Sequence, residues 1–292
     1  MKHNIHNLLI DLGISDEQSI IPFYPKVRDN DDISVLKCIK SEVILLSEIL
    51  QASKSNYSEH DDFMYWNASD IKNARLTTFE DDERRFEQYK SFICNKKWMD
   101  IGTGTGGLLD KLAPLTKQTI AVEPQNQARK SIQESGYAAY PFVSDVKESD
   151  FDIISLFHVF EHISDPIGLL IDIKSKLNDN GTLIIEVPHA RDFLISFLNL
   201  DAFKAFTFWS EHLILHTRES LRLFLQKAGF KNISISGYQR YPLANHLHWL
   251  AKEQPGGHNI WNQLNSDELD KSYSNMLNRL DYTDTLIATA TL

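Results

Sequence analysis

The chain has 292 residues, a net charge of −10, 42% hydrophobic residues and 11% aromatics, which suits one large domain, or a domain with an extension, around a sizeable core. The acidic balance argues against a nucleic-acid surface, and no apolar run approaches the length of about 18 residues that a membrane span needs or the pattern of a signal peptide. Cys38 and Cys94 lack metal-ligand spacing and read as reduced thiols of a cytoplasmic protein.

In chain order, residues 1–30 are poorly periodic, with Pro22 and Pro25 punctuating an extended piece. Asp31 and Asp32 are expected to cap an amphipathic helix reaching Leu50, because Ile33, Leu36, Ile39, Val43, Leu46 and Ile49 recur at helical spacing. A polar loop follows, then the aromatic cluster Phe63, Met64, Tyr65 and Trp66. Thr77, Thr78 and the acids after them read as a helix start, with Phe86, Tyr89 and Phe92 on one side and an end near Asn95. Strands and helices then alternate. Strands are expected at 98–101, 119–123, 138–140, 151–157, 182–187, 233–236 and 285–291, and helices at 106–115, 127–135, 166–177 and 217–225. That alternation makes a doubly wound α/β fold with a parallel sheet. The last two strands lack a normal crossover, so the seventh is expected to run antiparallel.

The stretch from Asp100 through Gly107 organises this pattern. Gly102, Gly104 and Gly106 let the backbone reach positive φ and approach a ligand, and the helix behind them presents unpaired N–H groups. Gly102, Gly104 and Gly107 also satisfy a dinucleotide-binding pattern. Asp100 argues against that ligand, since a carboxylate entering the loop repels a pyrophosphate and suits a cationic amino group. Glu123, at the end of the second strand, stands where an acid binds ribose hydroxyls in nucleotide-binding α/β folds.

The Asp-x-Gly-x-Gly-x-Gly loop resembles the first motif of class I S-adenosylmethionine (SAM) methyltransferases. The run from Phe157 to Pro166, the segment Leu177 to Pro188, and Glu211-His212-Leu213 followed by Thr217, Ser220 and Ala228-Gly229-Phe230 resemble the subfamily of ubiquinone O-methyltransferases and many sugar methyltransferases. The resemblance covers 96–292. It implies a Rossmann-like seven-stranded SAM domain over those residues, with an α-helical N-terminal extension or lid over 1–95 and an insertion at about 238–283. It also implies SAM contacts at Asp100, Gly102, Thr103, Gly104, Gly106, Glu123, Asp145 and Phe157.

The expected reaction is attack of an acceptor oxygen on the sulfonium methyl. The acceptor is read as a sugar hydroxyl on a nucleotide sugar or surface-glycan intermediate; alternatives are a small aromatic or quinone precursor and a SAM-binding protein without catalysis. Tyr65, Trp66, His212, Arg240, Tyr241, Asn245 and His246 are the expected acceptor-binding residues, a mix that suits a sugar's apolar faces and hydroxyls. The aromatic-rich insertion could equally pack on the core or on a second copy in a homodimer. His158, just after the fourth strand, is the expected general base, with His189 as its substitute. Two readings compete with this. His162 could simply fix the loop, or His158, Glu161 and His162 could join His212 or His216 around a divalent metal. The reading adopted is a base without a metal.

Overall fold

The structure, a computed structural model, describes residues 4–48 and 70–292. Helix α1 (Asn4–Asp11) is followed by strands β1 (Ile20–Tyr24), β2 (Val35–Cys38) and β3 (Ile44–Leu46), and a long helix α2 (Ile71–Ile93) leads into the main domain. There β4 (Lys97–Ile101), α3 (Gly107–Leu112), β5 (Gln118–Val122), α4 (Asn126–Glu134), β6 (Ala138–Tyr140), β7 (Phe151–Phe157), α5 (Pro166–Lys176) and β8 (Leu177–Pro188) alternate as expected. The chain continues through α6 (Asp201–Thr207), the two-residue β9 (Ile214–Leu215), α7 (Arg218–Lys227) and β10 (Lys231–Tyr238). Helices α8 (Leu243–Lys252), α9 (Gly257–Ile260) and α10 (Asp267–Leu280) precede β11 (Thr285–Thr291).

The main sheet has the spatial order β10-β11-β8-β7-β4-β5-β6. Strands β6, β5, β4, β7 and β8 pair in parallel, and β11 runs antiparallel to both β8 and β10. The order reverses at β4, so a crevice opens beyond the carboxyl ends of β4, β5 and β7. β7 is buried along nearly its whole length, as a central parallel strand must be. Its successor α5 starts where Asp165 accepts the Gly168 N–H at 3.1 Å, with Pro166 in the first turn. Among the described residues no helix is long and apolar enough to cross a membrane.

Two expectations for the N-terminal region need correction. The stretch expected as a helix from Asp31 to Leu50 holds β2 and β3 as far as it is described. Glu42, at φ +58°, sits in the tight connection between them. β3 then pairs with β9, and Val35, Ile44 and Leu45 join the same core as Ile154, Leu183 and Val187 of the main sheet. Long-range pairing therefore outweighs the local helical period. The helix expected to start at Thr77 begins earlier, capped by Asp70, whose carboxylate accepts the Asn73 N–H at 2.9 Å. Of the two helices expected in this extension only α2 is present, and α1 falls in the stretch read as poorly periodic.

Helix α7 carries a reciprocal cap. The Thr217 side chain accepts from the Ser220 N–H and the Ser220 hydroxyl accepts from the Thr217 N–H. Thr217→Ala is expected to lower stability by about 1 kcal/mol, measured by urea unfolding; an unchanged midpoint would remove the cap from the helix's support.

Candidate active site

The loop after β4 has the backbone its glycines allow: φ is +71° at Gly102, +61° at Gly104 and +82° at Gly106. A Cβ on Gly102 would meet Val159 Cγ2 at 2.2 Å, so this position is constrained by space as well as by conformation. Glu123, fully buried, accepts from the Gly104 N–H at 2.7 Å and the Gln125 N–H at 2.8 Å, tying the end of β5 to the loop. The Thr103 hydroxyl donates to the Asp100 carbonyl at 3.0 Å. The Asp100 carboxylate accepts from the Ser155 hydroxyl at 2.7 Å, which in turn accepts from the Trp98 indole at 2.8 Å. Burial pushes Asp100 up to about 7, and neither Ser155 nor the more distant Arg85 offsets it.

These groups line a cavity of about 820 Å³. Asp100, Gly102, Thr103, Gly104, Glu123, Phe157 and His158 all face it, with Pro141 to Ser144 and the first turns of α5. Gly106 is not in the lining but caps α3, with its N–H held by Thr103. Asp145 is a correction: it is exposed and outside the lining, because the short turn Val143–Asp145 buries Val143 and turns Asp145 to solvent.

Helix α2 forms another wall. Arg75 donates to the Thr105 carbonyl at 3.0 and 2.8 Å and pairs with Asp110 at 2.9 Å, so α2 is pinned to the glycine loop and α3. From this helix Thr78, Asp82 and Arg85 reach the cavity. Arg84 and Arg85 both clasp the fully buried Glu186 of β8, each at 2.7 Å. Burial alone would raise the Glu186 pKa, but Arg85, His158 and Arg84 together hold it well below the carboxylate range.

His158 adopts φ +55°, an uncommon conformation for a residue with a side chain. Its N–H donates to the Glu186 carbonyl at 2.8 Å. Its ring lies between two carboxylates, with Nδ1 3.2 Å from Glu161 Oε1 and Nε2 3.4 Å from Glu186 Oε1. Burial and Arg240 push its pKa down, yet the two carboxylates outweigh them and raise it. His162, also at the cavity, packs edge-on against Trp209 and His212, with ring centroids at 6.1 and 5.0 Å.

The other expected residues divide. His189 is fully buried away from the cavity, with Nδ1 donating to the Thr283 carbonyl at 3.0 Å, and burial lowers its pKa to about 4. It is therefore no substitute base. His212 adjoins the cavity through His162 without lining it. Arg240 and Tyr241 line a separate cleft of about 450 Å³ with Asp81, Arg84, Tyr238 and His258. There Arg240 is already paired with Asp81 at 3.3 Å and Asp284 at 3.5 Å. Asn245 and His246 line neither space. Asn245 contacts the His258 ring, and His246 Nδ1 meets the Tyr273 hydroxyl at 2.7 Å while its ring stacks on Phe193. Both belong to the packing of α8. Tyr65 and Trp66 lie outside the described residues.

Sequence reasoning passed over Thr78, Asp82, Arg84, Arg85, Glu186, Trp209 and Glu211. Glu186 carried a readable signal: one acid inside the apolar run Leu183-Ile184-Ile185-Glu186-Val187 demands a buried cationic partner.

Residues 80–235 match the family described as a methyltransferase domain. A SAM-dependent methyltransferase from Archaeoglobus fulgidus shares the fold at a TM-score of 0.50 and 17% identity, covering 77% of this chain and 95% of its own. An uncharacterized protein of Haemophilus influenzae is 32% identical over 111 residues, covering 33% of this chain and 44% of its own length. A ubiquinone biosynthesis O-methyltransferase of Actinobacillus pleuropneumoniae is 27% identical over 111 residues, covering 33% and 47%. The chain thus spans less than half the length of these curated relatives. It belongs to the methyltransferase-domain family, and its fold is the one the SAM-dependent methyltransferase of Archaeoglobus fulgidus adopts. The residues present fit S-adenosylmethionine, the cofactor that the resemblance implies: glycines stand at the loop's closest turns, and the acids Asp100 and Glu123 stand at the ends of β4 and β5 in the cavity lining.

Because Asp100 is raised from 3.8 to about 7, ionising it in the folded protein costs stability as pH rises through that window. A bound ammonium favours the ionised form and releases the proton. SAM affinity is therefore expected to fall as pH drops below about 7, by up to about tenfold per unit. Asp82 and Arg85 on α2 are the charged groups that also act on Asp100. Calorimetric titration from pH 5 to 8 tests this, with Asp100→Asn expected to flatten the profile; a flat wild-type profile would show that Asp100 does not serve the ammonium.

Proposed function

We propose that the protein transfers the SAM methyl group to a hydroxyl oxygen of a sugar, on a nucleotide sugar or surface-glycan intermediate in the cytoplasm. The observation carrying the acceptor class is the cavity wall beyond the cofactor loops. Trp209 offers an aromatic face to the cavity with His162 packed against it, and Thr78, Asp82, Arg85 and Glu211 add donors and acceptors elsewhere in the same lining. A sugar ring has that character, with apolar faces and hydroxyl edges.

The sulfonium supplies an already activated methyl group, so the chain's own task is to orient the acceptor and take its proton. His158 is suited to the second task. With Nδ1–H donating to Glu161, Nε2 carries the lone pair; it is buried and has no hydrogen bond among the described residues, with Glu186 Oε1 3.4 Å away. The nearby Glu186 carboxylate stabilises the imidazolium once the proton arrives. Arg84 and Arg85 keep Glu186 ionised for this purpose. Helix α2 acts as a fixed lid, since Arg84 and Arg85 tie it to Glu186 while Thr78, Asp82 and Arg85 line the cavity.

A second reading, methylation of a phenolic hydroxyl on a quinone precursor, is favoured by the similarity to ubiquinone biosynthesis O-methyltransferases. Turnover on a panel of nucleotide sugars and catechols separates the two: methylation of phenols alone would replace the sugar reading. His158→Ala is expected to lower kcat by about 10²–10⁴-fold with SAM affinity unchanged. Turnover within twofold of wild type would remove His158 as the base.

A further inference from the structure

The turn that carries Trp209 is held by a part of the chain far from it in sequence. The connection between β1 and β2 folds on itself: Val27 and Ile33 are buried, and the Val27 N–H donates to the Ile33 carbonyl at 2.9 Å. Its tip reaches the turn after α6. The Arg28 N–H donates to the Phe208 carbonyl at 2.9 Å. The Asp29 carboxylate accepts from the Ser210 N–H at 2.9 Å and the Ser210 hydroxyl at 2.6 Å. The residues on either side of Trp209 are thus bonded to two consecutive residues of the tip. The Arg28 side chain also donates to the Phe206 carbonyl at 3.1 Å, and its guanidinium lies over the Trp209 ring, 4.7 Å from the centroid. Trp209 lines the cavity and Arg28 does not.

We infer that Arg28 and Asp29 are positioning residues of the acceptor site: Asp29 sets the backbone of the turn, and Arg28 sets the plane of the Trp209 ring against the cavity. This rests on the reading of that wall as the place where the acceptor stacks. Trp209 is partly exposed, so burial alone does not fix its ring. A guanidinium favours the face of an indole, and this one is itself held at Phe206, so the ring is oriented against a fixed plate. An aromatic wall serves binding only while its plane is held by supporting groups. The docking of β1 and β2 on the main domain has other means. Phe208, 1% exposed, packs on Phe23 and Tyr24 with centroids at 6.1 and 5.8 Å, and β3 pairs with β9. The contacts of Arg28 and Asp29 add control of one side chain, and through it the N-terminal strands take part in acceptor recognition without touching the acceptor.

The test uses the full chain and two acceptor probes, UDP-glucose for the sugar reading and catechol for the phenol reading. On the probe that the wild type methylates, Arg28→Met is expected to raise KM about two- to fivefold, with kcat and SAM affinity within about twofold of wild type. Arg28→Lys, which keeps a cation, should recover most of the loss. In a Trp209→Leu background Arg28→Met should add nothing, because its effect passes through that ring. An unchanged KM in Arg28→Met, or the same increment in both backgrounds, would overturn the positioning role. Asp29→Ala is read by fluorine NMR of protein labelled with 5-fluorotryptophan, where Trp209→Phe identifies the Trp209 resonance. Asp29 bonds to Ser210, so a shift of the Trp209 resonance alone is expected; an unmoved resonance, or a shift of all of them, would overturn the tie. A wild type that binds SAM yet methylates neither probe would overturn the acceptor reading, while the Trp209 resonance still decides how the ring is held.

Discussion

The buried carboxylate of Glu186 is the constraint on which the site depends. It sits at the end of β8 with no exposure, and it cannot remain ionised there unaided. Arg84 and Arg85 both turn to it, which places α2 across the carboxyl ends of the strands. Arg84 also pairs with Asp81, and Asp81 with Arg240, which reaches Asp284. On the other side Glu186 meets His158, and His158 meets Glu161. Charges therefore alternate from the insertion after β10 to the cavity. Such a chain is weak evidence for net stability, but removing one member leaves an uncompensated buried charge, at a cost of about 3–5 kcal/mol. Its value lies in fixing geometry: the helix, the strand end and the His158 ring can adopt only mutually consistent positions.

Much of the main domain is legible because its local signals agree with its tertiary structure. The glycine loop, the Asp165-Pro166 start of α5, the Thr217 cap and the Gly229 stop are each dictated by nearby residues. The fully buried β7 and the antiparallel β11 follow from apolar runs and connection lengths. The stretch after Asp31 misleads because its signal is ambiguous. Apolar residues recur there at helical spacing, yet Val35, Val43 and Ile44 are β-branched and fit a pleated surface. Ile39 is 59% exposed where the helical pattern required burial. The deciding partner, β9, lies about 170 residues away in sequence, too far for any periodicity to register.

The acceptor side is less legible, for a different reason. The segment after β10 has aromatics, amides, an arginine and histidines, the composition of a sugar site. In the fold most of that chemistry is satisfied internally. Arg240 is enclosed by Asp81 and Asp284, and His246 by Tyr273 and Phe193. Residue type records what a side chain can bond to, not whether the bond is already made. The cavity's own polar wall comes instead from α2 and from the turn holding Trp209 and Glu211, which are separated in sequence and joined only by folding.

The histidines show how the partners of a ring set its protonation. His189, His216 and His246 are more deeply buried than His158, and burial takes each to about 4. Burial favours their neutral form, and their Nδ1 atoms are bonded to a carbonyl, a serine hydroxyl and a tyrosine hydroxyl. A neutral partner fixes a ring and its tautomer but gives little to an imidazolium. His158 differs in having carboxylates at both nitrogens, and these outweigh its desolvation. Ionised partners need ionised partners of their own, which is why this ring requires Arg84 and Arg85 behind Glu186. The two arginines, on a helix outside the alternating strands and helices, are thus part of what raises the pKa of His158.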